Sequence, residues 1–426
     1  MGTMSRPHAG SLAFYPRKRA RKEMASFSSF PAVEVKEGEK AKPLSFVAYK
    51  AGMTHVLGKD VHEKGITFGH EVAIAATVLE APPIKVFGVR AYGKAPKGFY
   101  GTVPLMDVFA ENVDKNLLKK ITNFKKKTKK KKKKGKEKAE AEEKKEDSKK
   151  KAEDEKKAEE EAKKEDLEKP KTMADLEKAK EKVLDLRLLC HTQPGKTKFG
   201  KKRPDVCEIG LSGNTAQKMA FAKDVLGKEI SVSDVFEENQ FVDVRAVTKG
   251  KGMQGPVKRA GIKVHRPKAK KRRVVGSIGP WNPSTVMWTV PRPGQMGYHS
   301  RTELHKKILK IGSEKDTGLV NQKAGFKNYG RVGNDFIVLV GSVAGPAKRA
   351  VSVRFTIRKT PFERHKIEKL DYVAGSSKTK DVVLEEEVKV EHVVEKKEEK
   401  KEKKSVADEI AAAAKGEEKR EKNKEK

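Results

Sequence analysis

Acidic residues are missing from one long stretch of this chain. Residues 244–302 contain 14 lysines and arginines and no aspartate or glutamate, although the whole chain of 426 residues carries 60 acidic residues. A solvated charged loop normally mixes acids with its bases, so an uncompensated basic loop needs a polyanion to offset its self-repulsion. Nucleic acid is the polyanion that this stretch favours.

Cysteine and long apolar runs are also scarce. The two cysteines, Cys190 and Cys207, fit no zinc-ligand spacing and predict no disulfide scaffold, so we expect two buried apolar residues. No apolar run approaches the roughly 20 residues that span a bilayer, and no amphipathic basic helix with an aromatic face is visible. The N-terminus shows no apolar signal sequence. We expect a reduced, cytoplasmic protein with no membrane partner and no bound metal.

Motifs for catalysis and nucleotide binding are incomplete. "GKGMQG" at residues 250–255 has the glycine spacing of a dinucleotide-binding turn, but Pro256 and a basic run follow it instead of a helix and a ribose-binding acid. "PGKT" ends like a phosphate-binding loop, but Cys190 stands where the first glycine belongs. The ten histidines form no metalloprotease motif. We expect no enzymatic activity, no cofactor and no small-molecule substrate.

The positive charge belongs to the part of the chain that can fold. The net charge is +37, but residues 125–182 hold 25 basic and 18 acidic residues, and residues 385–426 hold 13 and 14. These two segments leave +31 to the rest of the chain. Both have low complexity, so we interpret 125–182 as a disordered or single-helix insertion without a core role, and 377–426 as a disordered tail.

Short runs rich in β-branched and aromatic residues predict a mainly β fold, with a β-barrel core, small α/β additions and long excursions. A helix is predicted over residues 214–227, where Met219, Ala222, Val225 and Leu226 share a face and Gly227 ends it. The predicted strands are "EVAIAATVLEAP", "IKVFGVRAYG", "VLDLRLLCHT", "VCEIGL", "FVDVRAV", "DFIVLVGSVAG" and "AVSVRFTIRK".

These patterns divide the chain into seven segments. In order, they are a basic N-terminal arm (1–43), the first part of the barrel (44–124), the Lys/Glu-rich insertion (125–182), a barrel continuation with the helix (183–243), a basic glycine-rich finger (244–302), the barrel completion (303–376) and the charged tail (377–426).

The arm and the finger carry the candidate RNA-binding residues, because lysine and arginine neutralise phosphates and aromatic rings stack on unpaired bases. In the arm they are Arg6, Phe14, Tyr15, Arg17, Lys18, Arg19 and Arg21. In the finger they are Lys249, Lys251, Lys258, Arg259, Lys263, His265, Arg266, Lys268, Lys270, Lys271, Arg272, Arg273, Trp281, Arg292, Gln295, His299 and Arg301.

Both tryptophans of the chain lie in the finger. Trp281 stands between Gly-Pro and Asn-Pro pairs, a turn-forming context that predicts an indole at the tip of a loop, pointing into RNA. Trp288 alternates with Val286 and Val290 as in a strand, so we expect it to pack on the stem of the finger or on the barrel.

Several long motifs, in a fixed order, resemble the large-subunit ribosomal protein L-three family, in its archaeal and eukaryotic branch. They are "HAGSLAFYPRKRA", "YKAGMTHV", "VTKGKGMQG", "GSIGPWNP", "GQMGYHSRTELHKKILKIG" and "YGRVGNDFIVLVGSV". The resemblance covers most of the chain outside residues 125–182 and the tail. It implies a translation-protein-like barrel on the outer face of the large subunit, neighbouring ribosomal proteins, and extensions that enter ribosomal RNA.

The same resemblance implies roles for the two extensions. The central finger would approach the peptidyl-transferase centre with Trp281 at its tip, and residues 10–21 of the arm would penetrate RNA. We therefore expect a structural protein that binds large-subunit ribosomal RNA, aids assembly and supports that centre. An RNA-modifying enzyme with a basic RNA-tracking loop, or a nucleolar basic RNA-binding protein, is the alternative that the residues leave open.

Overall fold

The computed structural model describes residues 10–35, 39–96, 100–121, 172–358 and 372–373. The strands are β1 (Ser45–Lys59), β2 (Glu71–Glu80), β3 (Ile84–Lys94), β4 (Thr102–Phe109), β5 (Val183–His191), β6 (Val206–Gly210), β7 (Glu229–Ile230), β8 (Phe241–Val247), β9 (Gly250–Gln254), β10 (Gly294–Gly297), β11 (Ser300–Gly312), β12 (Phe336–Val340), β13 (Ala350–Phe355) and β14 (Tyr372–Val373). The helices are α1 (Met173–Lys178), α2 (Thr215–Val225), α3 (Pro256–Ala260) and α4 (Thr317–Val320). The prediction of a mainly β fold is confirmed.

Seven strands form the largest sheet, in the order β13-β8-β11-β12-β2-β1-β14, with an additional pairing between β13 and β1. All of these pairings are antiparallel. Among themselves, the six strands other than β14 therefore each have two hydrogen-bonded neighbours, and β1 also pairs with β14. Strands β12 and β13 are buried almost throughout, which explains their β-branched composition.

A second sheet, in the order β4-β3-β5-β6, packs beside the first, and β7 extends it by pairing with β3. One continuous hydrophobic core joins the two sheets, and its largest fully buried side chains include Tyr49, Phe46, Phe236 and Phe336. Pro82 and Pro83 separate β2 from β3, so the chain passes from the first sheet to the second at the position that the sequence indicates.

Helix α2 confirms the predicted helix. Met219 and Ala222 are buried, Val225 and Leu226 pack against the core, and Gly227 leaves the helix with a φ of 82°. A backbone with positive φ suits glycine, which explains the stop. Within the same region, the β5 and β6 register places Cys190 opposite Cys207, and both are free and buried, as expected.

Two predictions need correction. The insertion does have a core role at its C-terminal end, because Leu176 of α1 is only 1% exposed and belongs to the main core. Its apolar residues are too few to give a periodic pattern, yet one leucine suffices to anchor a short helix. Residues 125–171 of the insertion and the tail lie outside the described residues. The strand expected around Trp288 is also absent, since residues 284–290 form turns and irregular backbone.

Candidate nucleic-acid interface

The finger rises from a narrow two-stranded sheet. Strands β9 and β10 pair antiparallel, with Gly294 opposite Gln254 and Gly297 opposite Gly250. Gly297 has a φ of 72°, and a Cβ atom there would lie 2.1 Å from the Lys249 carbonyl oxygen, so this crossing tolerates no larger residue. The excursion between the two strands contains helix α3 and then no regular structure over residues 261–293.

Backbone carbonyls, not carboxylates, hold the base of the finger together. The Arg259 guanidinium donates to the carbonyl oxygens of Gln295 at 3.1 Å and Arg292 at 2.9 Å. The side chain of Gln295 in turn donates to the Gly297 carbonyl at 3.0 Å. These bonds satisfy donors without neutralising charge, so the finger keeps its positive potential.

A ten-residue basic loop, residues 265–274, lies farther along the excursion. His265 closes it, because its backbone N–H donates to the Arg272 carbonyl at 3.0 Å and its ring Nε2 donates to the Val274 carbonyl at 3.0 Å. Every residue from 263 to 273 is exposed, including the seven lysines and arginines predicted to bind RNA there. His265 therefore has a structural partner inside the protein, which its sequence context does not reveal.

The charge of the finger is uncompensated in three dimensions as well as in sequence. Among the residues that the structure describes, none of the 14 cations in 244–302 forms an ion pair with a carboxylate. Several cations of the globular part are paired instead: Arg90, for example, lies between Asp107 at 2.6 Å and Glu208 at 2.7 Å. A segment in which every cation lacks such a partner presents an electrostatic surface for a polyanion.

The two tryptophans have different surroundings. Trp281 is 97% exposed and follows Gly279, whose φ is 149°, so it stands free at the position predicted for the tip. Trp288 is 61% exposed and makes an edge-to-face contact with Tyr15 of the N-terminal arm, with ring centroids 5.3 Å apart. The expected packing on the stem or the barrel is thus replaced by packing on the arm.

The N-terminal arm contacts the base of the finger directly. The Ala20 N–H donates to the Tyr298 carbonyl at 2.9 Å, and the His299 ring Nδ1 donates to the Lys18 carbonyl at 3.0 Å. The Arg301 guanidinium lies 4.4 Å from the centre of the Phe14 ring. Sequence places these residues about 280 positions apart, and only the fold brings them together.

The arm residues divide into two groups. Lys18, Arg19 and Arg21 are exposed and make no side-chain hydrogen bond or ion pair with other described residues, whereas Arg17 donates to the Ser11 carbonyl at 3.2 Å and lies 4.9 Å from the Tyr15 ring centre. Phe14 remains 56% exposed beside its cation. Arg6 lies outside the described residues. The predicted RNA contacts of arm and finger stay predictions.

Sequence reasoning missed Lys50, which is buried and lies near Lys249 at the base of the finger. Its Nζ donates to the Val343 carbonyl and, at 3.4 Å, to the Gly345 carbonyl. Burial lowers the pKa of Lys50, and the nearby charge of Lys249 lowers it further. The residue lies within "YKAGMTHV", but nothing in that stretch marks the lysine as buried; its strand position on β1 decides it.

Other kinds of site are not seen in the part of the chain that the structure describes. No group of three or more histidine, cysteine, aspartate or glutamate side chains is arranged there to hold a metal ion. The helices within the described ranges include none long and apolar enough to cross a membrane.

Comparison with known proteins agrees with the geometry. The model of the family described as "Ribosomal protein L3" matches residues 1–380. A large ribosomal subunit protein uL3 from Methanococcus vannielii is 42% identical over 378 residues, which cover 88% of this chain and 98% of the relative. The proteins of the same name from Methanocaldococcus jannaschii and Methanothermobacter thermautotrophicus are 40% and 38% identical over 380 and 382 residues, covering 88% and 89% of this chain and 98% and 99% of the relatives. The chain with the acid-free finger and the aromatic arm therefore belongs to the ribosomal protein L3 family.

Proposed function

We propose that this protein is a structural, non-enzymatic component of the large ribosomal subunit and that it binds large-subunit ribosomal RNA through its arm and its finger. The observation that carries the proposal is the finger itself: it has 14 cations in 59 residues, no aspartate or glutamate in sequence, and no ion pair among the described residues. Several cations outside the finger, by contrast, pair with carboxylates in or beside the two sheets.

The energetics favour a partner that is extended and polyanionic. Each phosphate that a lysine or arginine neutralises releases counterions, and many such contacts together give a tight, salt-dependent complex. The exposed Trp281 adds a ring that can stack on a base. Because the finger contains no regular structure between residues 261 and 293, it can follow an RNA surface that a helix or strand would not match.

The finer assignment follows the family. The six strands of the largest sheet other than β14 would form the closed translation-protein-like barrel on the outer face of the subunit, beside neighbouring ribosomal proteins. The finger would then run inward, with Trp281 supporting the peptidyl-transferase centre, and the arm would assist assembly of the subunit in the cytoplasm.

Sedimentation tests the proposal directly. A tagged chain expressed in cells should migrate with large subunits in a sucrose gradient and remain there after a high-salt wash. Migration only with free RNA or with nucleolar particles would contradict it and favour a nucleolar RNA-binding protein. Turnover of an RNA substrate by the purified chain would favour a modifying enzyme instead.

Charge neutralisation tests the arm. Replacing Arg17, Lys18, Arg19 and Arg21 with glutamine should lower the slope of log affinity against log salt by about 0.7 to 0.9 for each lost phosphate contact. An unchanged slope would mean that the arm is solvated and makes no contact with RNA.

A further inference from the structure

Two loops of the globular part repeat the charge pattern of the finger. Residues 193–204 lie between β5 and β6, where Asp205 follows them, and residues 321–334 precede Asp335 and β12. Neither contains an acid, and together they hold eight lysines and arginines. We refer to their combined outer surface as the twin-loop face.

The two loops lie against each other. The Phe199 and Tyr329 rings are 5.4 Å apart, and the Asn334 side chain donates to the Lys196 carbonyl at 3.2 Å. The Lys198 side chain passes Gly333, since its Cε lies 3.4 Å from where a Cβ atom on that glycine would stand. The cations of both loops therefore share one surface.

Buried anchors fix the orientation of each loop. In the first, Phe199 packs on Tyr49, and in the second the Gly333 and Asn334 N–H groups donate to the fully buried Glu80 carboxylate at 3.1 and 3.2 Å. Asp205, which directly follows the first loop, is also buried and pairs with Lys201. The Glu80 and Asp205 carboxylates are thus bonded inward, while the remaining cations face solvent.

Six cations of the twin-loop face have no carboxylate partner among the described residues. Lys196 pairs with Glu229 and Lys201 pairs with Asp205, which leaves the six as Lys198, Lys202, Arg203, Lys323, Lys327 and Arg331. All six are exposed. Arg331 donates to the Lys323 carbonyl at 2.9 Å, a bond that orders its side chain without neutralising it.

Two glycines of the first loop point to a partner that approaches closely. Neither Gly195 nor Gly200 has a positive φ, and a Cβ atom at either would meet nothing within 4 Å. The fold therefore does not require glycine at either position. A ligand that lies against this backbone would require glycine at both positions, since a methyl group would keep the ligand at a distance.

The rings of the twin-loop face are turned away from the surface, which separates its chemistry from that of the finger. Phe199, Phe326 and Tyr329 are each 7% exposed or less, so no ring is available to stack on an unpaired base. Cations without stacking platforms suit the regular phosphate backbone of an RNA helix, which is contacted by shape and charge, whereas single strands are held largely by stacking.

Resting on the proposed function, we infer that the twin-loop face is a second RNA-binding surface, separate from the arm and finger, and that its ligand is the phosphate backbone of double-stranded RNA. The globular part would then bind an RNA helix at the surface of the subunit, while the finger and arm enter its interior.

The test measures binding of the full chain to a 24-base-pair RNA duplex of arbitrary sequence, as a function of salt. The triple variant Lys198→Gln, Lys202→Gln, Arg203→Gln should lower the log–log salt slope by about 2 to 3. The double variant Lys323→Gln, Lys327→Gln should lower it by about 1.4 to 1.8. Neither should change the melting temperature by more than a degree or two, because all five side chains are exposed.

A matched control removes the same charge elsewhere. Lys178, Lys180 and Lys182 are exposed and alternate with acids, so their replacement with glutamine should leave the slope unchanged. An equal fall in this control would show a general effect of net charge and would overturn the inference, as would unchanged slopes in both loop variants.

Gly200→Ala gives a readout that does not depend on charge. It should weaken duplex binding several-fold while the protein folds at least as stably as before, since nothing surrounds the added methyl group. Unaltered duplex affinity would count against close approach of the backbone.

The variants also separate this inference from the proposed function. If the loop variants change nothing but the arm variant still lowers the salt slope, the twin-loop face is not an RNA site and the proposed function stands. If none of the variants affects RNA binding, the proposed function fails.

Discussion

Replacing each tryptophan with alanine should separate a residue that acts in the complex from one that acts in the free protein. Trp281 is 97% exposed, so its removal takes almost no protein contact away and should leave the melting temperature unchanged. Trp288 contacts Tyr15 at 5.3 Å, and an aromatic pair of this kind contributes about 0.5 to 1.5 kcal/mol. Since Trp288 is itself 61% exposed, we expect a loss near the lower end of that range.

In the assembled subunit, Trp281 should matter more than Trp288. A ring stacked on a base contributes about 1 to 3 kcal/mol, which corresponds to a roughly 5- to 150-fold change in an equilibrium constant. That is too little to release a protein held by many phosphate contacts. Trp281→Ala protein should therefore occupy subunits fully but perturb peptidyl transfer or tRNA accommodation.

The assays are the melting temperature of the purified variants, followed by subunit occupancy, peptidyl-transfer rate and drug sensitivity of ribosomes that carry them. Trp288→Phe serves as the control that keeps a ring against Tyr15. Normal transfer and a normal drug response in fully occupied Trp281→Ala ribosomes would refute the assignment of Trp281 to the functional tip. A drop in melting temperature for Trp281→Ala as large as that for Trp288→Ala would refute the reasoning from exposure.

Three further outcomes are expected. Leu176→Ala should lower the free energy of unfolding by about 2 to 5 kcal/mol, because the leucine is 1% exposed. The control Leu184→Ala, at a leucine that is 56% exposed, should lower the free energy of unfolding by clearly less. Equal urea midpoints for the two variants would contradict the place of α1 in the core. Deletion of residues 125–171, with a short glycine-serine linker in their place, should leave folding and entry into subunits intact, since the deletion spares Leu176; failure to enter subunits would show that the segment is required. Burial lowers the pKa of His191 from its ordinary value of 6.5, so the free energy of unfolding should decrease as the pH falls below 6.5. His191→Gln should reduce that decrease in urea unfolding compared at about pH 7.5 and 5.5. Identical pH dependence in the two proteins would exclude His191 as its source.

The sequence by itself determined the β character, the position of α2 and the uncompensated charge of the finger. These are local properties. Strand and helix periodicities depend on neighbouring residues, and Gly227 stops α2 through its own backbone conformation. The absence of acids over 59 residues needs no fold to be recognised. The exposure of Trp281 could also be predicted from sequence, because the Gly, Pro and Asn residues around it favour a turn.

Only the tertiary structure decided which distant segments meet. Sequence could not show that Tyr15 packs on Trp288, that Leu176 enters the core from a charged segment, or that two short loops combine into the twin-loop face. Each of these depends on antiparallel pairing between strands far apart in the chain, such as β1 with β13, whose register is set by burial on both faces of the sheet. A contact between remote segments leaves no periodic trace in either one, so its partners become visible only once the strands are paired.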